Sequence, residues 1–344
     1  MQAYAEALMR DLRARSAQCG DYTVDTVYFG GGTPTLLGGE LLSRILKTVF
    51  SCYRVAPTAE ITVECNPVTQ SSALFAQLRK AGFNRLSIGM QSAHDAELKA
   101  LGRIHTFSEV EQTVRSARAE GFENLSVDVM FGIPEQTEQS FYQTLDRAIA
   151  LQPTHLSAYG LIVEEGTPFF RMEKDLRLPD EETSERMYFG LINRLAQHGF
   201  AQYEISNFAK KGYESRHNLK YWRCEEYLGF GPAAYSDFCG VRFGNSRDLA
   251  AYISGESILE EQKTIGVQER KNEYVMLGMR LCEGISASAF EARFGQSFAQ
   301  AFGERLRPYR AGGFVTLSPN GAAFTPRGMQ VSNAILSQIL DFSD

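Results

Sequence analysis

Over roughly the first two hundred residues, short apolar runs alternate with stretches whose apolar positions recur every three to four residues. Strands are predicted at Val24–Phe29, Glu60–Cys65, Arg85–Gly89, Leu125–Phe131, His155–Tyr159 and Gln202–Ile205. Helices are predicted between them at Glu40–Phe50, Ser71–Ala81, Ser108–Gly121, Glu138–Leu151 and Glu181–His198. Leu41, Ile45, Leu46 and Val49 mark the apolar face of the first of these helices. Strands that each feed a helix imply an α/β fold with a parallel sheet covered by helices. Gly82, Gly121 and Gly199 follow helices and suit their C-caps.

The chain opens differently. Met1–Ser16 is amphipathic, with Tyr4, Leu8 and Leu12 on one face, and it precedes the first strand. Every other helix in this part follows a strand of its own. The order therefore predicts a strand before Met1, whose loss would leave Val24–Phe29 as an open edge.

Beyond about Asn207 the alternation stops. Phe208–Gly244 is rich in Gly, Tyr and Phe and reads as loops with short helices. Helices are expected again at Glu269–Leu281, Ser286–Arg293 and Ser297–Tyr309, then strands at Phe314–Leu317 and Ala322–Thr325, then a helix from Pro326. Helices with a small hairpin suggest a winged-helix-like domain. Three parts follow: residues 1–206, a connecting region 207–265, and a C-terminal domain 266–344.

Composition narrows the function classes. With 344 residues, 44% of them hydrophobic, the chain can bury a sizeable core. Its net charge of −6 argues against a general binder of nucleic acid. No apolar run approaches the roughly 18 residues of a membrane span, so no membrane insertion is expected. The N-terminus lacks a signal peptide's apolar core, and a cytoplasmic protein is expected. The six cysteines form no C-x-x-C pair, and the five histidines form no metal-binding cluster.

Candidate chemistry gathers at the strand ends, where ligands of parallel α/β folds sit. Tyr28-Phe29-Gly30-Gly31-Gly32-Thr33-Pro34 closes the first strand, Glu64-Cys65-Asn66-Pro67 the second and Gly89-Met90-Gln91-Ser92 the third. Asp128 lies in the fourth, and Arg103 follows in Leu101-Gly102-Arg103. Loop capping would explain any one of these residues. Their recurrence at successive strand ends suits a zwitterionic, hydroxyl-bearing ligand, with carboxylates accepting from an ammonium or ribose and arginine clamping a carboxylate.

This ordered set resembles the radical S-adenosylmethionine (SAM) proteins of the oxygen-independent coproporphyrinogen III oxidase group, essentially end to end. Gly-Gly-Gly-Thr-Pro-Thr, Glu-x-Asn-Pro, Gly-Met-Gln-Ser, Leu-Gly-Arg-x-His and Asp-x-Met-x-Gly-x-Pro occur in the family's order. The resemblance implies a partial (β/α)6 barrel of TIM type, here lacking its first strand, with a small, mostly helical accessory domain. It assigns Gly31, Gly32 and Thr33 to the methionyl end of SAM, and Glu64, Gln91, Arg103 and Asp128 to the rest. Ile162, placed by strand position alone, would add a backbone contact. His217-Asn218-Leu219-Lys220-Tyr221-Trp222 matches the H-N-x-x-Y-W motif of the HemW-type heme chaperone branch. In that branch His217, Tyr221 and Trp222 would contact heme, for which imidazole is a suitable iron ligand. On chemistry alone, a loop-capping His217 and a core Trp222 explain the same residues. The partners implied are heme and heme-acceptor proteins. The alternative within the group is the oxidase itself, which decarboxylates porphyrinogen propionates. A third reading is a cluster-less, non-catalytic relative.

Two departures stand out. Relatives read Gly-Ala-His-Ser where this chain has Ala234-Tyr235-Ser236. The family also holds a 4Fe-4S cluster through C-x-x-x-C-x-x-C, and no such triplet occurs here. Cys19 lies beyond the opening helix, and Cys65 should point away from Glu64 because strand side chains alternate. A missing N-terminal segment would account for both the absent strand and the absent cysteines; a true cluster-less variant is the alternative. The cluster is thus expected only if that motif is restored.

Overall fold

Five parallel strands form the frame that carries the candidate site. In the computed structural model, which describes residues 1–67, 71–172 and 176–340, two compact units are present. One comprises 16–202 and 206–214, the other 1–15, 203–205 and 215–344.

In the first unit, strands β1 (Val24–Phe29), β2 (Val55–Cys65), β3 (Arg85–Gln91), β4 (Asn124–Phe131) and β5 (His155–Gly160) pair in parallel and in sequence order. Helices α2 (Gly38–Cys52), α3 (Ser72–Ala81), α4 (Asp95–Ala100), α5 (Phe107–Ala119), α6 (Glu138–Ala150), α7 (Pro168–Arg171) and α8 (Glu181–Gln197) lie between and after them. The predicted elements are therefore present, with ends shifted by a few residues. The sixth expected strand is different. Only β6 (Ala201–Gln202) forms, and β7 (Asn207–Ala209) lies between it and β5, antiparallel to both. The reason is that Tyr203–Ile205 belongs to the other unit, where Glu204 bridges Leu281.

Side-chain alternation divides the parallel sheet into two chemically distinct faces. Val63, Leu86, Ile88, Val127 and Leu156 are fully buried on one face. Helices cover it, α5 packing on β3 and α6 on β4. Each such side chain contributes about 1.5–3 kcal/mol on burial. The helix starts are pinned as well. Thr106 and Glu109 form a reciprocal capping box on α5, and Thr137 with Ser140 does the same on α6. The opposite face carries Thr62, Glu64, Arg85, Ser87, Ser126, Asp128, His155 and Ser157.

The second unit contains α1 (Gln2–Ser16), whose Ala5, Leu8, Met9 and Leu12 are buried and whose Asp11 accepts from the Tyr252 hydroxyl at 3.2 Å. After α9 (Arg216–Trp222) the chain forms β8 (Tyr235–Phe238), β9 (Val241–Asn245), α10 (Leu249–Ser254) and β10 (Leu259–Thr264). The three strands make an antiparallel sheet in the order β10-β9-β8; β8 and β9 fall where loops and short helices were expected, and β10 in a stretch for which no element was predicted. Hydrophobic periodicity could not reveal it, because every residue of β10 is exposed and the strand reads Leu-Glu-Glu-Gln-Lys-Thr. The C-terminal helices and hairpin are present: α11 (Val267–Gly278), β11 (Ile285–Ser286), α12 (Ala287–Phe294), α13 (Glu304–Ala311), β12 (Val315–Ser318), β13 (Gly321–Phe324), α14 (Pro326–Gln330) and α15 (Ser332–Ile339). The expected helix 297–309 is interrupted, its first part being a π-turn at Ala299–Gly303.

One charge network ties the antiparallel sheet to α11. Arg270 grips both carboxylate oxygens of Asp237 at 2.5 and 2.8 Å, Arg242 reaches Asp237 at 2.9 Å, and Glu273 pairs with both arginines. Asp237→Ala would leave the two guanidinium groups crowded beside Glu273. Its unfolding free energy is expected to fall by roughly 2–4 kcal/mol, moderated by the part of Arg242 that stays in water. Urea denaturation followed by circular dichroism measures this, and a loss within about 0.5 kcal/mol would reduce the network to surface decoration.

Candidate functional site

The glycine loop after β1 is shaped by Glu64. The Tyr28 hydroxyl donates to Glu64 Oε1 at 2.9 Å, and the Gly31 amide donates to Oε2 at 3.2 Å. Gly30 makes this approach possible, since a Cβ there would lie 2.7 Å from Glu64 Oε1 and 2.6 Å from the Tyr28 ring. Gly31 has φ +102°, a conformation that favours glycine. Around Gly31 and Gly32 there is open space, leaving their backbone accessible. Burial pushes the Glu64 carboxyl upward, and the bonds from Tyr28 and Gly31 oppose that shift.

The end of β3 is strained. Register slips between Gly89 and Gln91 against β4, a bulge that re-aims the chain. Gln91 has φ +65°, and the Ser92 amide donates across it to the Met90 carbonyl at 2.9 Å. This is the rare, positive-φ form of the γ-turn. Several buried groups hold it. Ser92 Oγ and Ser140 Oγ each donate to the Glu97 carboxylate at 2.6 Å, while His105 Nε2 lies 3.2 Å from the Met90 carbonyl. Burial keeps His105 below the ordinary histidine range. Strain over-determined in this way clusters at functional positions. Sequence reasoning selected Gln91 but missed Glu97 and His105, although His105 closes the Leu-Gly-Arg-x-His motif.

Asp128 sits in register with Gly89 and Ser157 on the polar face. Ser87 Oγ donates to its two oxygens at 3.3 and 3.4 Å, and Ser157 also hydrogen-bonds it. Burial pushes its carboxyl up to about 6, with the Glu64 charge acting in the same direction and Ser157, Arg85 and Ser87 against it. Glu64 and Asp128 therefore share one polar chamber. Arg103 is exposed in the loop between α4 and α5. Ile162 follows β5 and is 74% exposed. Thr33 precedes a short 3-10 turn at Pro34–Leu37 and makes no side-chain cap bond there.

The second candidate group lies on α9. His217 Nε2 is 2.9 Å from the Tyr221 hydroxyl, one helical turn away, with the rings edge to face. Tyr221 lines a cavity of about 280 Å³ with Tyr227, Tyr235, Arg242 and Arg270. Trp222 instead lines a separate cavity of about 660 Å³ with Tyr274 and Arg293, and Arg280 lies over its ring. The structure thus brings His217 and Tyr221 together and turns Trp222 elsewhere.

No group of three or more His, Cys, Asp or Glu among the described residues could hold a metal ion. The six cysteines are dispersed and form no disulfide among the described residues. Cys65 is buried, as its alternation with Glu64 predicts, and burial pushes its thiol well above the usual range.

The Radical SAM superfamily profile matches residues 5–148, and the HemN C-terminal domain matches 267–331. The chain is 35% identical to the heme chaperone HemW of Bacillus subtilis, covering 98% of this chain and 91% of that protein. It is 32% identical to the heme chaperone HemW of Escherichia coli, covering 98% and 89%. The solved coproporphyrinogen III oxidase of Escherichia coli, a radical SAM enzyme, superposes with a TM-score of 0.85 at 22% identity, over 99% of this chain and 83% of that one. That structural match establishes the fold.

The Asp128 carboxyl generates a pH prediction. Its folded value is raised, so its contribution favours the fold below the unfolded value of about 3.8 and is lost as pH rises through about 6. Asp128→Asn removes this term. Relative to the unchanged chain, its unfolding free energy should therefore improve by roughly 1–3 kcal/mol between pH 4 and pH 7. Denaturant titrations at a series of pH values measure the difference, and a flat difference would refute the raised value.

Proposed function

The chain belongs to the heme chaperone HemW family of the radical SAM superfamily, and on this basis we propose that it binds heme and passes it to an acceptor protein. The similarity to HemW proteins across nearly the whole chain carries this reading. The His217–Tyr221 pair supports it locally, because imidazole ligates heme iron and the neighbouring tyrosine rings offer flat apolar faces. Trp222, in its own cavity, contributes to heme binding only if the macrocycle reaches that side of α9.

SAM is assigned to the rim of the parallel strands. Its ammonium and ribose hydroxyls are donors, for which Glu64 and Asp128 are acceptors of the right chemistry. Gly31, Gly32 and Thr33 would offer backbone to its methionyl end, Gln91 an amide, Arg103 a clamp for its carboxylate, and Ile162 a backbone contact. When bound, SAM supplies an activated adenosyl sulfonium. A 4Fe-4S cluster does not fit the residues present, since no set of thiolates converges among those described. A cytoplasmic location belongs to the same proposal, supported by six cysteines that form no disulfide among the described residues, as a reducing compartment would maintain them.

The test is hemin added to the purified chain. A shifted Soret band, followed by transfer of heme to an apo-hemoprotein, is expected. Conversion of coproporphyrinogen III to a decarboxylated product would favour the oxidase instead. His217→Ala should weaken heme binding by roughly tenfold or more, equivalent to about 1.4 kcal/mol; unchanged affinity and spectrum would remove His217 from the site.

A further inference from the structure

Below the ligand rim, the polar face carries a charge that the SAM assignment leaves unused. Arg85 is 2% exposed and is one of the largest fully buried side chains in the chain. It lies on β3 two residues before Ser87, so both side chains leave the same face, and Ser87 is the residue that bonds both oxygens of Asp128. Arg85 Nε and Thr62 Oγ1, on residues paired in register across β2 and β3, are buried without a hydrogen-bond partner among the described residues. A guanidinium left so poorly bonded is costly unless nearby charge compensates it.

The titratable neighbours on this face identify that charge. They are Tyr28 from β1, Glu60 and Glu64 from β2, Asp128 from β4, and His155 and Tyr159 from β5. His155 is completely buried, and its Nδ1 lies 2.7 Å from Ser126 Oγ. Burial and the charge of Arg85 both hold its proton affinity far below the ordinary value, so it stays neutral. Among the described residues, Arg85 is then the one cation on the inward positions of β1–β5.

We propose that Arg85 is a positioning residue for the ligand rim, its buried guanidinium holding Asp128 ionised at neutral pH so that Asp128 accepts hydrogen bonds from the ligand. This rests on the SAM reading and deepens it. Burial alone drives the Asp128 carboxyl toward protonation, while Arg85 and the Ser157 and Ser87 hydroxyls hold it back. A protonated Asp128 would present a donor where an acceptor is needed.

Aspartate 13Cγ NMR on the full chain tests the coupling, with the Asp128 signal identified by its loss in Asp128→Asn. Arg85→Met should raise the Asp128 midpoint by about one unit or more, and Arg85→Lys, which keeps the charge, by less. An unmoved midpoint in Arg85→Met overturns the proposal. Calorimetric titration with SAM should show Arg85→Met weakened roughly tenfold at pH 7 and largely recovered at pH 9, where Asp128 ionises without help. A pH-independent loss would instead mark Arg85 as packing only and overturn the positioning role. Should Arg85→Met fail to fold, Arg85→Met/Asp128→Asn removes the stranded carboxylate and is expected to fold; persistent unfolding would overturn the coupling. If the unaltered chain binds no SAM while Arg85→Met still moves the midpoint, the SAM reading fails and the Arg85–Asp128 coupling stands.

Discussion

The parallel ladder from β1 to β5 imposes the constraint on which the rest depends. Side chains must alternate, so each strand sends one set of residues under the helices and the other to the opposite face. Here the first set is Val, Leu and Ile, and it supplies the cohesion of the sheet. The second set is hydroxyl, carboxylate, imidazole and guanidinium, and it supplies the polar groups of the candidate site. A one-residue slip in any strand would exchange the two sets. The register Glu64↔Ser87↔Ser126↔His155 is therefore as much a part of the site as any single side chain.

The polar face does not assemble its groups loosely. Glu64 is fixed from two directions by a phenol and a backbone amide, and Gly30 leaves room for it. Gln91 is fixed by a turn that would be unfavourable in isolation, held by a buried carboxylate, a histidine and two serine hydroxyls. Preorganisation of this kind limits the reorganisation a ligand must cause on arrival.

Much of this was legible in the sequence because it followed a short-range rule. Apolar alternation located β1 to β5, and the strand-end positions led to Glu64, Gln91 and Asp128. What remained hidden depended on long-range partners. Arg85 reads as an ordinary surface charge opening a strand until its neighbours on β2 and β4 are known. Tyr203–Ile205 reads as a continuous strand until Glu204 is seen to bridge Leu281. β10 has no apolar pattern to read at all. The H-N-x-x-Y-W motif suggested one cluster, but adjacent residues on a helix point about 100° apart, which carries Tyr221 and Trp222 into different cavities.

The turn at Gln91 has a consequence for how this protein can be improved. Glycine would occupy φ +65° without the strain that a side chain incurs there, so a search for greater thermal stability would favour glycine at this position. It would also discard the amide that the turn presents. On the proposed SAM reading, stability and ligand recognition therefore compete at Gln91, and selection for robustness alone would remove the amide that this reading uses.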